Sequence, residues 1–391
     1  NGVFAEIKNA ANTADLSISV AQNVNAGSVG VWGQSAGTGK VSVNTDGDVV
    51  GGAYGVLGVA NGGDVEITVG GSATGTSTIG VAAEVAGATG GITINGTDAG
   101  ETIFGGINGV QARISNASNS SKIDVTIEQD VTAGAIGIAG QTFGGGDISI
   151  TANGKVTPTS STGIFASNAP AAANAGNIDV TVGTGSLVDG GTNGVSTALG
   201  VSTGTATVYV NGEINAVNNG VNQTSIGGNN VVNVAATGKI DPLIGINQST
   251  ASGSNTVNNL GLVEGDNIGI KQVATTTGTN TVTNDGTVTG KAAEGVLSTV
   301  VDGNALVTGT GAINGGTDGV SLTTTGLGSV TLTGSQTITG GTGAGVLIRQ
   351  TGGSTGLVTV NTTGGSISGA TGINASSNGT GNVSITTVGN V

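Results

Sequence analysis

The chain has no cysteine, no histidine, only 3 prolines, and aromatic side chains at 2% of its 391 residues. Each scarcity excludes something. Without cysteine there is neither a disulfide nor thiolate chemistry, so the fold must be stabilised by other means, such as the ladder hydrogen bonds of a solenoid. Without histidine the usual general base of hydrolases is gone, and no Gly-Asp-Ser-Gly type nucleophile site is present. Charge is sparse as well: 23 acidic against 9 basic residues give a net charge of −14, and the arginines are Arg113 and Arg349 alone. Nucleic acid is therefore not an expected partner, because phosphate binding needs clustered Lys and Arg. No apolar run approaches 18 residues, so no helical membrane span is expected. No signal peptide pattern is visible and the first residue is Asn1, which reads as a processed or trimmed chain.

Glycine is what the sequence has in excess, at 78 residues. Collagen would need Gly at every third position with abundant Pro. Disorder would need low hydrophobicity, yet the mean hydropathy is +0.22. Glycine here punctuates short β-rich segments. A Gly followed by Val or Ile recurs from Gly2-Val3 through Gly30-Val31, Gly55-Val56 and on to Gly295-Val296, Gly319-Val320 and Gly372-Ile373. The mean spacing is about 26 residues, within the range of solenoid repeats. A second anchor, Gly-x-Val/Ile/Leu, precedes the first by seven to nine residues, as in Gly212-Glu213-Ile214 and Gly286-Thr287-Val288. A third segment alternates strictly, as in Val41-Ser42-Val43 and Ile148-Ser149-Ile150.

Each repeat thus holds three short strands with period-2 patterning and Gly, Asn or Asp turns. The predicted fold is all-β: a right-handed parallel β-helix with three strands per turn, about 15 coils of about 26 residues, filling residues 1–391 as a single solenoid domain. Coils stacked at about 4.8 Å would make a rod of roughly 70 Å. The Val or Ile after each anchor points inward, Val296 and Val320 among them. The next residue points outward, which places Phe4, Trp32 and Leu57 in one outer stripe with Phe165 at the equivalent position further on. The residue after that points inward and is mostly small. Gln223, Gln248 and Gln272 occupy that inward position in three successive coils, where a stacked amide ladder would satisfy them.

The phrase Asn284-Asp285-Gly286-Thr287-Val288-Thr289-Gly290 followed by Gly295-Val296, then Gly311-Ala312-Ile313-Asn314-Gly315 followed by Gly319-Val320, resembles the passenger repeats of autotransporter adhesins of Gram-negative bacteria. The resemblance spans essentially the whole chain. It implies a secreted or surface-exposed, extracellular protein. It also implies a partner on a host or neighbouring-cell surface, such as a matrix protein or a glycan. The family's membrane β-barrel translocator has no counterpart here, so the resemblance makes the chain part of a longer passenger. Passengers on this scaffold include adhesins, proteases and toxins, so the resemblance bears on architecture more than on activity.

Four features are candidates for function. The stripe Phe4, Trp32, Leu57 and Phe165 is either a binding surface for sugar or protein or an area covered by another segment. Asp124, Asp147 and Asp179 each precede an apolar-x-apolar strand in consecutive coils; stacked, they would hold a Ca²⁺ ion, and otherwise they are solvated turn aspartates. Two coils are lengthened, at 95–101 and 168–176, either as binding loops or as neutral insertions. Thr-x-Thr pairs such as Thr281/Thr283 and Thr331/Thr333 suggest ice binding, but they do not continue around enough coils to form a plane. The expectation is a non-catalytic adhesin or stalk without a cofactor. The alternatives are a filament subunit stacking end to end, since the repeat is still running at both termini, and a carbohydrate-active β-helix enzyme.

Overall fold

The structure, a computed structural model, describes residues 1–169, 176–200 and 203–391. It is all-β, a right-handed parallel β-helix of about 15 turns made from three parallel sheets. We name the sheets by the first strand of each: sheet A begins with Val3–Ile7, sheet B with Leu16–Val20 and sheet C with Val24–Ala26. The chain has two compact units, Asn1–Gly204 and Thr205–Val391, and the same three-sheet coil recurs in each.

The alternation that defines the strands is the alternation of burial. Val41, Val43 and Thr45 are buried while Ser42 and Asn44 between them are partly exposed. Val296 and Val320, the residues after two anchors, are fully buried. Each such aliphatic side chain contributes about 1.5–3 kcal/mol relative to exposure. Between strands, the backbone ladder continues around the corners: Leu16 N–H donates to the Lys40 carbonyl and Val41 N–H to the Asp64 carbonyl, both at 2.8 Å.

The anchor glycines are fixed by space rather than by turn geometry. A Cβ on Gly295 would lie 2.7 Å from the Gly319 carbonyl oxygen and 2.7 Å from Ile313 Cγ2, and one on Gly319 would lie 2.6 Å from the Gly345 carbonyl oxygen. These are distances no side chain tolerates against backbone, so each anchor must be glycine because the next coil lies directly over it. Left-handed backbone is needed at few places, such as Gly309 (φ 128°) and Gly334 (φ 123°), which end strands of sheet B.

Acidic and amide side chains mark the corners. Asp15 Oδ1 accepts from Lys40 N–H at 2.8 Å, Asp64 Oδ1 from Gly91 N–H at 2.7 Å, and Asp147 Oδ1 from Asn177 N–H at 2.7 Å. Asn304 Oδ1 does the same for Ser329 N–H at 2.8 Å, and Asp318 Oδ1 for Ala344 N–H at 2.6 Å. In every case the side chain caps a backbone donor in the following coil, a job that Asp and Asn perform well because their oxygen sits close to the main chain. Much of the chain's scarce acidity is therefore used to satisfy the backbone.

Candidate functional site

Three places carry side chains arranged beyond what the coil itself requires. The first is the outer face of sheet A in the unit Asn1–Gly204. Phe4, Trp32 and Leu57 are in direct register on adjacent strands. The Phe4 and Trp32 rings are 4.7 Å apart between centroids and tilted by 47°. Phe4 is 45% exposed, and Trp32 and Leu57 are half-buried. The Trp32 indole N–H is buried and makes no hydrogen bond, so packing alone holds the ring. Phe165 lies on the same column, but Ala82, Gln111 and Ala139 intervene. It stands four coil spacings from Leu57, about 19 Å, and so is not part of a contiguous patch. The neighbouring outward column is polar except at Val59: Glu6 pairs in register with Gln34, Gln34 with Val59, Val59 with Glu84, and Glu84 with Arg113, whose guanidinium lies 5.4 Å from the Phe143 ring. The result is a short apolar stripe bordered by hydrogen-bonding groups beside Phe4 and Trp32 and by Val59 beside Leu57.

The second place is the outer face of sheet B in the same unit, where the register corrects the expected aspartate ladder. Asp124 is aligned with Ser149, and Ser149 with Asp179. Asp147 lies outside this column, immediately before its strand Ile148–Ala152, where it caps Asn177 N–H. Asp124 and Asp179 are thus two coils apart, about 9.6 Å, too far to share one ion. Asp124 instead pairs with Lys122 at 2.8 Å. Among the described residues no three His, Cys, Asp or Glu side chains come together as a metal site.

This face has a hollow that the sequence reading did not anticipate. Gly91 and Thr93 form its floor, and the ion pairs Lys40–Glu66 and Lys122–Asp124 flank it, with Asp64 and Ser121 completing the wall. The Lys40 ammonium is pushed above its usual range, chiefly by its hydrogen bond to Glu66. Every carboxylate here is already engaged: Glu66 and Asp124 by lysines, Asp64 by the Gly91 backbone. Gly91 presents no side chain at the position immediately before its strand, where Lys122 and Asp147 stand before the next two strands.

The third place is internal. In the unit Thr205–Val391, Gln248 Nε2 donates to Gln223 Oε1 and Gln272 Nε2 to Gln248 Oε1, both at 2.8 Å. A second ladder, not foreseen from the sequence, runs beside it: Asn230 Nδ2 donates to Asn255 Oδ1 at 2.9 Å and Asn255 Nδ2 to Asn280 Oδ1 at 2.8 Å. The equal spacing of 25 residues from Asn230 to Asn255 to Asn280 was the available signal. All six amides are fully buried. The two ladders donate in opposite directions along the coils, so their dipoles oppose one another. Each also ties sheets A and B together: Gln248 Nε2 reaches the Thr256 carbonyl of its own coil at 3.1 Å, and Asn255 Nδ2 the Val273 carbonyl of the next coil at 3.0 Å.

Of the two lengthened coils, the segment at 95–101 folds back on itself. Gly100 N–H donates to Asp98 Oδ1 at 2.9 Å, and the Ser72 hydroxyl donates to Glu101 Oε2 at 2.5 Å. In the other, at 168–176, residues 170–175 lie outside the described residues. No protein-family model matches this chain, and no curated protein and no solved structure matches it either.

Proposed function

We propose that this chain is part of a secreted bacterial surface protein of the autotransporter-passenger kind, a non-catalytic adhesin or stalk that binds through the outside of its coils. The stripe Phe4–Trp32–Leu57 carries the reading. Two aromatic rings in contact, one of them 45% exposed, on the outward side of a sheet are apolar area that the coil does not need. Two tilted rings in contact, bordered by Glu6 and Gln34, suit the apolar face of a sugar with its hydroxyl edge, or the apolar centre of a protein contact. The partner is accordingly a glycan or matrix protein on a host or neighbouring cell, and the protein works outside the cell without a cofactor. The absence of histidine from the sequence and the prior engagement of the sheet B carboxylates support a binding role over hydrolysis.

The test is a binding screen of the purified chain on glycan and matrix-protein arrays, repeated with Phe4→Ala/Trp32→Ala. The expected result is a specific ligand whose binding the double variant loses while its thermal melt is unchanged. Full binding by a folded double variant would remove the stripe as the site.

A further inference from the structure

The outer face of sheet B in the unit Thr205–Val391 differs from every other face of that unit. None of its strands contains a charged residue. Sheet A there carries Lys271 and Arg349, and sheet C carries Glu213, Lys239, Asp241 and Glu264. In place of charge the face carries threonine. One outward column runs Thr256, Thr281, Leu306, Thr331, Thr359, each in register with the next. Two residues along each strand, the second column pairs Asn258 with Thr283, Thr283 with Thr308, and Thr333 with Asn361. As the sequence suggests, the Thr-x-Thr pairs do not repeat in adjacent coils: Thr281/Thr283 and Thr331/Thr333 lie two coils apart with Leu306/Thr308 between them, and Thr256/Asn258 and Thr359/Asn361 flank them, so the array is threonine-rich with apolar and amide interruptions.

Four hydroxyls at the centre of this face differ from those at the corners. Threonines at the corners turn theirs back to the main chain: Thr237 donates to the Asn211 carbonyl at 2.9 Å, and Thr324 to the Val301 carbonyl at 3.0 Å. Thr281, Thr283, Thr331 and Thr333 make no side-chain hydrogen bond to the described residues; they stand in the outward positions of their strands. They are half-buried, and β-branching restricts their χ1, so their hydroxyls and methyls are held at fixed positions. The array has a repeat of about 4.8 Å across the strands and about 6.6 Å along them.

We propose that this face binds the surface of ice. Ice presents a lattice of water oxygens, each both donor and acceptor, and a hydroxyl has the same dual capacity. A lattice of rigid, unpartnered hydroxyls joins such a surface with little ordering cost, since the groups are already in place. Charge opposes it: an ammonium or carboxylate holds its own strongly bound water and must be desolvated before a crystal plane can meet it. A neutral face on a chain of net charge −14 fits this requirement. A polysaccharide crystal is the competing occupant, and the face offers it no aromatic platform beyond Tyr209 at one end. This face is separate from the Phe4–Trp32 stripe, so the two proposals stand or fall independently.

The experiment measures the gap between freezing and melting points, and the incorporation of the fluorescently labelled full chain into a growing ice hemisphere. The variants are Thr281→Lys/Thr331→Lys on the face and Thr299→Lys/Thr323→Lys on the outside of sheet A as control. We expect the unmodified chain and the control to open a freezing gap and enter the ice, and the face variant to lose most of both. If the lysine pair lowers the melting temperature, Thr331→Tyr replaces it, since tyrosine suits a strand but breaks the array. No freezing gap in the unmodified chain, an undiminished gap in a folded face variant, or binding to microcrystalline cellulose with exclusion from ice would each overturn the proposal.

Discussion

The inward positions of sheet B set the two units apart. In Asn1–Gly204 they are aliphatic: Ile92 and Ile94 stack on Ile123 and Val125, then on Ile148 and Ile150, then on Ile178 and Val180. In Thr205–Val391 the equivalent interior contains Asn230, Asn255 and Asn280, and sheet A faces them with Gln223, Gln248 and Gln272. Both interiors are fully buried, so both solve the same problem with different physics. The aliphatic column gains from removal of apolar surface, and its members act nearly independently, each Ile→Val costing about 0.5–1.5 kcal/mol. The amide columns gain only about 1 kcal/mol per hydrogen bond, but a buried amide left without its partner costs about 1–3 kcal/mol. They succeed or fail as a set, because each rung is both donor and acceptor to its neighbours. A solenoid interior can therefore be polar provided that the same polar residue returns at the same place in successive coils.

Substitutions in the interior and at the corners probe this contrast, in falling order of effect. Val296→Asp puts a carboxylate at a fully buried anchor position where no cation can reach it. It is expected to cost several kcal/mol and to melt the coils around it, read as a lowered thermal midpoint and as lost amide protection near 296. An unchanged melt would mean that the anchor column is not the interior.

Next is Gln248→Leu, the middle rung. It strands Gln223 Oε1 and removes the acceptor of Gln272, and it is expected to cost about 2–4 kcal/mol. Replacing Gln223, Gln248 and Gln272 all by Leu should cost less than the single change, since no amide is then left unpaired. Denaturant melts of the single and triple variants decide it: strictly additive losses would show that the ladder is three separate residues.

The smallest effect distinguishes the two aspartates that the register separates. Asp147→Ala removes a cap on a backbone N–H and should cost about 1–2 kcal/mol. Asp124→Ala removes a surface ion pair with Lys122, both side chains roughly half exposed, and should cost less than about 0.5 kcal/mol. Calcium should leave the melts of all three proteins where they are. A calcium-dependent rise of many degrees in the parent, abolished by either change, would restore the metal site that the register removes.

The same pair of aspartates shows where reading the sequence stops. Asp124 and Asp147 both precede an apolar-x-apolar segment, and sliding a strand by two residues leaves every side chain on its original face. The alternation therefore says which side each aspartate is on but not which residues are neighbours. Here Ile123 aligns with Ile148, so Asp124 meets Ser149. The outer column Thr256–Thr281–Leu306–Thr331 was hidden for a related reason, since Leu306 interrupts the motif in the sequence while keeping its place in the array. The hollow over Gly91 was hidden because a missing side chain gives no signal until its neighbours are known.

What the sequence by itself determined is the coil: its length, its three strands and its inside and outside. Those follow from local rules, namely the two-residue alternation of strands and an anchor glycine wherever the next coil leaves no space for a Cβ. What only the tertiary structure decided is the pairing between coils, and with it every candidate site. Whether Phe4 touches Trp32, Gln248 reaches Gln223, or Asp147 meets Asp124 depends on register, and register is set by corner lengths and interior packing summed over whole coils rather than by any residue's immediate neighbours.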